Sequence, residues 1–153
     1  EGLMILESIS GKKETWVSQD GIRIVVEDGR IISTRGLINN LKSITLPKMA
    51  DFSDVHLYTT NHTFYSYYSF SNPILIDLKT EHNLNKIGLE EIYILETLKK
   101  LELIEENVKN SKIRWFFTNK YWIDESDYVW KSEQEISPKL PVIYFQVTKK
   151  PSL

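Results

Sequence analysis

The feature that most constrains the fold of this chain is an aromatic-rich segment from Ile113 to Ile136. Three of the four tryptophans lie in it, together with tyrosine, phenylalanine and β-branched residues. The polar sequence Asp124-Glu125-Ser126-Asp127 divides the segment near its middle. Aromatic and β-branched runs on both sides of a short turn predict a long β-hairpin.

Period-2 alternation along this hairpin predicts one face that is mostly aromatic. If Ile123 pairs with Tyr128, three polar residues interrupt that face, with Asn119 opposite Ser132 and Gln134 opposite Phe117. A buried polar group without a partner costs about 1–3 kcal/mol, so these groups need partners. The face as predicted contains Trp115, Phe117, Asn119, Tyr121, Ile123, Tyr128, Trp130, Ser132, Gln134 and Ile136.

Six residues of this face form the candidate site, and two interpretations of them stay open. In an open groove, the rings would stack on the apolar face of a sugar while the polar groups pair with its hydroxyls. In a core, the polar groups would form a buried network that fixes strand register. The core interpretation is favoured, because the N-terminal strands also need a partner layer. The six are Trp115, Asn119, Tyr121, Trp130, Ser132 and Gln134.

The composition limits the class of protein. The 153 residues are enough for one domain with a hydrophobic core, and we expect a single domain over residues 1–153. The net charge of −2 argues against nucleic acid as a partner, because phosphate binding needs a concentrated basic surface. The absence of cysteine excludes disulfides and thiolate catalysis. No apolar run is long enough for a membrane helix and no signal peptide precedes Glu1, so we expect a soluble chain as given.

Two Asp-Gly pairs, Asp20-Gly21 and Asp28-Gly29, separate β-branched runs in the N-terminal part of the chain. Asp-Gly favours a two-residue type I′ turn, in which both central residues have positive φ. After a first strand at 3–9, these pairs predict a three-stranded meander with apolar residues on both faces, which is expected to be covered on both sides. The predicted faces are Trp16, Val25 and Ile32 on one side, and Val17, Ile24, Val26 and Ile31 on the other.

The middle of the chain predicts a connector, strands and a loop. Residues 37–54 predict a connector with a helical turn at 38–41. Alternation over 55–70 predicts a long strand, and Ile74–Leu78 predicts another. The polar run His82–Asn85 predicts a loop, and 142–148 a final strand. The faces of the long strand are Tyr58, His62, Phe64, Tyr68 and Phe70 on one side, and Leu57, Tyr65 and Tyr67 on the other.

Two separated groups of motifs resemble the YjbF/GfcB family of bacterial lipoproteins, which is associated with capsule and exopolysaccharide production. The resemblance implies a signal peptide and an acylated cysteine upstream of this chain, and a periplasmic domain held at the outer membrane by that lipid. The N-terminal motifs are Thr15-Trp16, Asp20-Gly21, Gly29-Arg30 and Gly36-Leu37. The C-terminal motifs are Thr118–Trp122, Val129–Gln134, Pro138 and Leu140-Pro141.

The sequence of residues 88–110 is compatible with either a helix or strands. The Glu, Leu and Lys content, with apolar residues at helical spacing from Ile92 to Ile104, favours a helix slightly. Alternation on both sides of a polar break at Lys99-Lys100 favours strands. The family resemblance implies strands, and we adopt that expectation.

Catalytic and metal-binding patterns are weak. His56 and His62 lie about 20 Å apart along one predicted strand, and with His82 they are expected to be ordinary surface or packing residues. A glycosidase needs two carboxylates about 5–9.5 Å apart in a cleft. Glu133 and Glu135 lie on one predicted strand face at about that spacing, but beside Lys131 they fit a solvated face better. Asp124 and Asp127 fit hairpin-turn chemistry better than a calcium site. The candidate carboxylate pairs are Glu90 with Glu91, Glu105 with Glu106, Asp124 with Asp127, and Glu133 with Glu135.

The sequence therefore predicts a mainly β fold, a single antiparallel meander sheet curled into a barrel-like or sandwich domain with little helix. The resemblance implies a non-catalytic role in capsule or exopolysaccharide assembly or export, through an interface with a secretion-system protein such as an outer-membrane β-barrel. The alternative is a polysaccharide-binding module that uses the aromatic platform, and a glycoside hydrolase is less favoured. We expect no cofactor and no metal.

Overall fold

The computed structural model describes residues 2–53 and 62–152, and antiparallel strands make up most of it. The predicted mainly β architecture with little helix is confirmed. Within those two ranges, no helix has the length and apolar character that crossing a membrane requires. The strands are β1 Met4–Ser10, β2 Lys13–Ser18, β3 Arg23–Glu27, β4 Arg30–Arg35, β5 Leu41–Thr45, β6 His62–Ser71, β7 Ile74–Ile94, β8 Thr97–Asn110, β9 Trp115–Ile123, β10 Val129–Gln134 and β11 Ile143–Gln146.

The meander is divided into two sheets in which sequence neighbours lie side by side. The first sheet has the order β1-β2-β3-β4, and the second has the order β11-β10-β9-β8-β7-β6-β5. Both are antiparallel throughout, as the turn signals predict. The main core lies between the sheets, and the ring of Trp16 meets that of Phe145 edge-on at 5.5 Å across it. Its buried residues are Trp16, Ile24, Val26 and Ile31 from the first sheet, with Leu41, Tyr68, Phe70, Leu78, Trp115, Ile136 and Val147.

The two Asp-Gly pairs form different turns, and this changes the predicted faces. Asp28 and Gly29 have φ values of 47° and 80°, as a two-residue type I′ turn requires. At the other pair only Gly21 has positive φ, and it closes a three-residue loop between Ser18 and Ile22. The longer loop places Trp16 opposite Ile24, so the prediction that they lie on opposite faces is wrong.

The connector with its helical turn and the loop expected at His82–Asn85 are wrong, whereas the strand expected at Ile74–Leu78 is confirmed as the start of β7. Leu41 begins β5, and the helical turn lies later, at Lys48–Ala50. His82–Asn85 is not a loop but part of β7, because Phe64 on β6 and Val108 on β8 pair with His82 from its two sides. The alternating faces of β6 are confirmed, with Tyr65 and Tyr67 exposed. Residues 54–61, which include His56, Leu57 and Tyr58, lie outside the described ranges.

Residues 88–110 form strands, which confirms the expectation taken from the resemblance. The chain reverses at Leu95-Glu96, however, and not at the polar pair Lys99-Lys100. Cross-strand pairing of Ile94 with Thr97 leaves only two residues in the turn. This Glu- and Leu-rich segment therefore forms paired strands, although its residues favour a helix slightly by propensity.

The central hairpin is confirmed, but its register differs from the predicted one. Ile123 pairs with Val129, and a bulge between Val129 and Lys131 then places Ser132 opposite Tyr121. An extra residue in one strand reverses the side on which the next side chain points. Trp130 therefore leaves the predicted face and packs with Trp122 on the opposite side of the sheet.

Candidate functional site

Five of the six candidate residues lie in the protein interior. Trp115 is 3% exposed, and the rings of Tyr68, Phe70 and Phe117 surround it at 4.4–5.8 Å. Rings enclosed in this way have no open face on which a sugar can stack. The exposed fractions of the other four are 3% for Asn119, 1% for Tyr121, 1% for Ser132 and 2% for Gln134.

Trp130, the sixth candidate, lies on the opposite face of the second sheet beside Trp122. Its indole N–H donates to Asp124 Oδ2 at 2.9 Å, and the ammonium of Lys99 lies 3.9 Å from its ring centroid. Lys131 covers Trp122 in the same way at 4.2 Å. Cations over the ring faces are favourable contacts, and they occupy the surface that a ligand would need.

The buried polar residues connect the two sheets. The amide group of Gln134 donates to the carbonyl of Gly29 at 2.9 Å and to Ser132 Oγ at 2.8 Å, and its oxygen accepts from the backbone N–H of Ile31 at 2.9 Å. Gln134 is in the second sheet, whereas Gly29 and Ile31 flank the start of β4 in the first. One side chain thus satisfies a backbone carbonyl in the β3–β4 turn and a backbone N–H at the start of β4, 105 and 103 residues away.

A buried ion pair lies beside Gln134. The guanidinium Nε of Arg30 donates to Glu106 Oε1 at 3.0 Å, and its Nη1 donates to the carbonyl of Ala50 at 2.7 Å. Tyr121 Oη donates to Glu106 Oε2 at 2.8 Å, and Asn119 Nδ2 approaches the same oxygen at 3.3 Å. The side chains of Arg30 and Glu106 are 4% and 1% exposed. We call Arg30, Glu106, Tyr121, Asn119 and Gln134 the sheet-joining network.

Aromatic rings enclose the ion pair. The guanidinium carbon of Arg30 lies 4.0 Å from the ring centroid of Phe52 and 5.4 Å from that of Tyr121. On the other side of Glu106, His82 Nδ1 lies 3.3 Å from Oε1, and the His82 ring stacks on Phe64 at 4.7 Å. The charges are therefore held in surroundings from which water is largely excluded.

The charge states follow from this arrangement. Burial by itself raises the pKa of Glu106, but Arg30, His82 and the hydrogen bond from Tyr121 outweigh it and hold that pKa well below its usual range. Burial, followed by the nearby Glu106 charge, raises the pKa of Tyr121 well above its usual value. Glu106 is thus an ionised carboxylate, and Tyr121 a neutral phenol that donates to it.

The network borders a cavity of about 10 Å³, lined in part by Arg30, His82 and Glu106. A cavity of this size holds about one water molecule and no organic substrate. Glu106 is also already paired with a guanidinium and so is a poor general acid or base. The arrangement suits the joining of two sheets, and it offers no route for a reactant.

Sequence reasoning did not place Arg30, Glu106 and His82 in a buried network. The sequence contains one indication that Glu106 is buried. In a strand, Glu106 lies on the same face as Ile104 and Val108, which places a charge at an inward position. A charge at such a position must be paired. Nothing local identified Arg30 as that partner, since the two lie 76 residues apart.

The other acidic and histidine candidates are placed as follows. Glu105 points away from Glu106 toward Lys120, and Glu133 lies 3.7 Å from Lys131. Glu135 accepts from the Trp115 indole N–H at 2.6 Å. The carboxylate of Asp124 accepts from the backbone N–H groups of the turn residues Ser126 and Tyr128. In the described ranges, no three His, Asp or Glu side chains are placed to hold a metal ion.

The fold and the site together define a class: an antiparallel β protein with two facing sheets joined through a buried charged network. The family model for the group 4 capsule polysaccharide lipoprotein gfcB, YjbF matches residues 2–147, and this chain belongs to that family. Membership of a lipoprotein family implies attachment to a membrane of the cell envelope. No curated protein sequence gave a significant match.

A solved structure has a similar fold. The crystal structure of the hypothetical lipoprotein YmcC from Escherichia coli (K12) superposes with a TM-score of 0.84. The match covers 99% of this chain and 79% of that one, at 18% sequence identity. At this identity the likeness establishes the fold.

Proposed function

We propose that the domain is a non-catalytic component of capsule or exopolysaccharide assembly or export and that it acts through a protein interface. In this proposal an N-terminal lipid holds it on the periplasmic side of the outer membrane. Its partner is a secretion-system protein such as an outer-membrane β-barrel. The family match supports the pathway.

The observation that carries the interface is the free end of the β7–β8 hairpin, residues 87–101, which we call the arm. Of the described strands, β6 pairs with β7 only as far as Leu84, and β9 pairs with β8 only from Glu102 onward. Within the described residues, the arm is therefore a two-stranded ribbon that pairs with no third strand, and a two-stranded ribbon by itself is only marginally stable in water. It needs support from a surface that covers it.

One face of the arm exposes large apolar side chains on both sides of a charged cross-strand pair, Glu91 and Lys100. Leu89, Tyr93 and Leu95 are 62%, 68% and 70% exposed, and Leu98, which pairs with Tyr93, is 48% exposed. Leu101 lies on the other face, where it packs under Trp122. Large apolar side chains gathered on one exposed face mark an interaction site.

The residue at the tip of the arm has an unfavourable backbone conformation. Leu95 has a φ of 53°, a conformation that suits glycine or asparagine at a hairpin turn and is unfavourable for leucine. A residue that is both strained and exposed stabilises neither the turn nor the core. Its apolar side chain at the end of the arm is explained if a partner binds it.

The alternative functions have less support. The burial of Trp115 and Tyr121 removes the aromatic platform on which a sugar-binding hairpin would depend. A hydrolase needs two carboxylates in a cleft, and the ion-paired, enclosed Glu106 does not provide one.

The test uses the complete lipoprotein in its native bacterium with Leu89→Ser and Tyr93→Ser combined. We expect surface polysaccharide to fall several-fold while the protein level and the melting temperature stay close to the wild-type values. The matched control combines Ile76→Ser and Tyr144→Ser, which replaces an aliphatic and an aromatic residue at 67% and 71% exposure away from the arm. The control should leave polysaccharide unchanged.

A photo-crosslinking amino acid at Leu95 identifies what the arm touches. We expect a crosslink in the outer-membrane fraction to the β-barrel of the export system, and none from the same probe at Ile76. Normal polysaccharide in the Leu89/Tyr93 variant would contradict the proposal, as would equal crosslinking from both positions.

A further inference from the structure

A cleft of about 570 Å³ lies where the outer face of the first sheet borders β5 and the start of β7, and none of its lining residues belongs to the sheet-joining network. This volume lies within the range of roughly 300–1,000 Å³ that is usual for small-molecule sites. Strands of both sheets contribute to it. The lining residues are Arg23, Val25, Ser33, Thr34, Arg35, Asn40, Lys42, Phe70, Ser71 and Ile74.

Two arginines of the lining face each other across neighbouring strands. Arg23 on β3 and Arg35 on β4 are a directly opposed pair in the antiparallel register. Like charges in this position are destabilising. Glu7 offsets part of this repulsion, because Arg23 Nη2 donates to its Oε1 at 2.7 Å. Arg35 has no ion pair among the described residues.

The third cation of the cleft is Lys42 on β5, which is exposed and likewise has no ion pair within the described ranges. The lining contains no aspartate or glutamate. In a chain with a net charge of −2, Arg35 and Lys42, beside an Arg23 that is paired with Glu7, are a local excess of positive charge. Such a cleft attracts anions.

The remaining lining groups suit a polyhydroxylated ligand. The hydroxyl of Ser33 has no hydrogen bond within the described ranges, so it is free to pair with a ligand. The side chain of Ile74 is 77% exposed, and Val25 lies opposite Ser33 on the neighbouring strand. Apolar side chains beside hydroxyls and cations match a sugar ring, which has C–H faces, hydroxyls and, in acidic sugars, a carboxylate or phosphate.

From this arrangement we infer that the cleft binds an acidic sugar residue of a polysaccharide chain. Arg35 and Lys42 hold the anionic group, and Ser33 pairs with a hydroxyl. The choice of a saccharide over an acidic peptide rests on the capsule-related pathway of the proposed function. The cleft and the arm are separate surfaces, so either can fail its test alone.

The test measures binding by calorimetry at low salt, with oligogalacturonate as the acidic probe and dextran as the neutral one. We expect oligogalacturonate to bind and dextran not to bind. Arg35→Gln with Lys42→Gln should weaken oligogalacturonate binding at least five-fold. The control, Lys100→Gln with Lys109→Gln, removes the same charge from exposed positions on β8 and should leave the affinity unchanged.

A second measurement separates a binding role from a structural one. Arg35→Gln alone relieves the repulsion with Arg23, so it should raise the melting temperature of the free protein while weakening oligogalacturonate binding. Equal weakening by the β8 variant would overturn the inference, since binding would then be a general charge effect. Equally tight binding of polyglutamate, or binding only to vesicles of anionic phospholipid, would also overturn it.

Discussion

Arg30 and Glu106 carry opposite charges into an interior that excludes water. Desolvation of such a pair cancels much of its attraction, so a buried ion pair adds little net stability compared with apolar residues of the same size. Removing one partner is different, because the remaining charge is buried without compensation. The main effect of the pair is therefore on specificity. Any arrangement of the sheets that buries the two charges apart has a higher free energy.

The first prediction concerns Glu106→Gln. Arg30 would lose its counter-charge, and we expect the free energy of unfolding to fall by about 3–5 kcal/mol. The pKa of Glu106 is lowered in the folded protein, so as pH falls the unfolded chain takes up the proton first. The contribution of Glu106 is therefore complete above the ordinary carboxyl pKa of 4.5 and is lost as pH decreases toward its lowered value.

Chemical denaturation at a series of pH values checks this prediction. The wild type should lose stability below about pH 4.5, and Glu106→Gln should show a smaller loss over the same range. Glu105→Gln is the control, because that neighbouring carboxylate is partly exposed and faces Lys120. An identical pH dependence in the wild type and Glu106→Gln would show that Glu106 is not the titrating group.

The hairpins are the elements in which turn geometry decides where side chains point. In the β9–β10 hairpin, one bulge moves Trp130 to the outer face while Ser132 and Gln134 stay inside. In the β7–β8 hairpin, a tight turn at Leu95-Glu96 extends the ribbon beyond the described neighbouring strands and exposes large apolar side chains. The side on which Trp130 lies and the length of the β7–β8 ribbon thus each depend on one or two residues at a bulge or turn.

The second prediction concerns Leu95→Asn at the tip of the arm. A left-handed conformation costs an ordinary L-residue about 1–2 kcal/mol, and asparagine tolerates it better. Leu95 is 70% exposed, so little burial is lost on substitution. We expect thermal denaturation to show equal or higher stability, and surface polysaccharide to fall in the native bacterium. Glu96→Asn is the control, since φ is not positive there, and a stability gain in both variants would contradict the explanation.

At the scale of the whole molecule, the two sheets are in close contact where the β3–β4 turn meets β10. A Cβ atom built on Gly29 would lie 2.1 Å from Val129 Cγ2, and Gly29 has a φ of 80°. The carbonyl of Gly29 accepts from Gln134 at the same place. The absence of a side chain at this residue lets the sheets come close enough for the network to form.

The third prediction compares Gly29→Ala with Gly21→Ala. Both glycines have a φ of 80°, so both substitutions carry the same conformational strain of about 1–2 kcal/mol. Only at Gly29 does the new methyl group also meet the opposite sheet, since nothing lies within 4 Å of it at Gly21. Thermal denaturation should show a loss for Gly29→Ala that is larger by about 1–3 kcal/mol, as is typical of overpacking. Equal losses would mean that the sheets can separate at little cost.

The strands and their neighbours were largely predictable from the sequence, because they depend on local patterns. Alternation from His62 to Phe70 fixed the faces of β6, and Asp28-Gly29 fixed a tight turn. Predictions failed where a single residue changes register, as in the Gly21 loop and at the bulge beside Trp130. They also failed at His82, where a polar run resembles a loop although neighbouring strands pair with it on both sides.

The sequence alone determined that this chain forms antiparallel β-hairpins and belongs to a capsule-related lipoprotein family. Periodicity, turn residues and motifs are each properties of short stretches of sequence. Only the tertiary structure decided which polar residues are buried and with whom they pair. Arg30 meets Glu106, and Gln134 meets Gly29, over separations of 76 and 105 residues. It also decided that Arg35 and Lys42 line one cleft. Such contacts depend on how two sheets face each other, and no short stretch of sequence specifies that geometry.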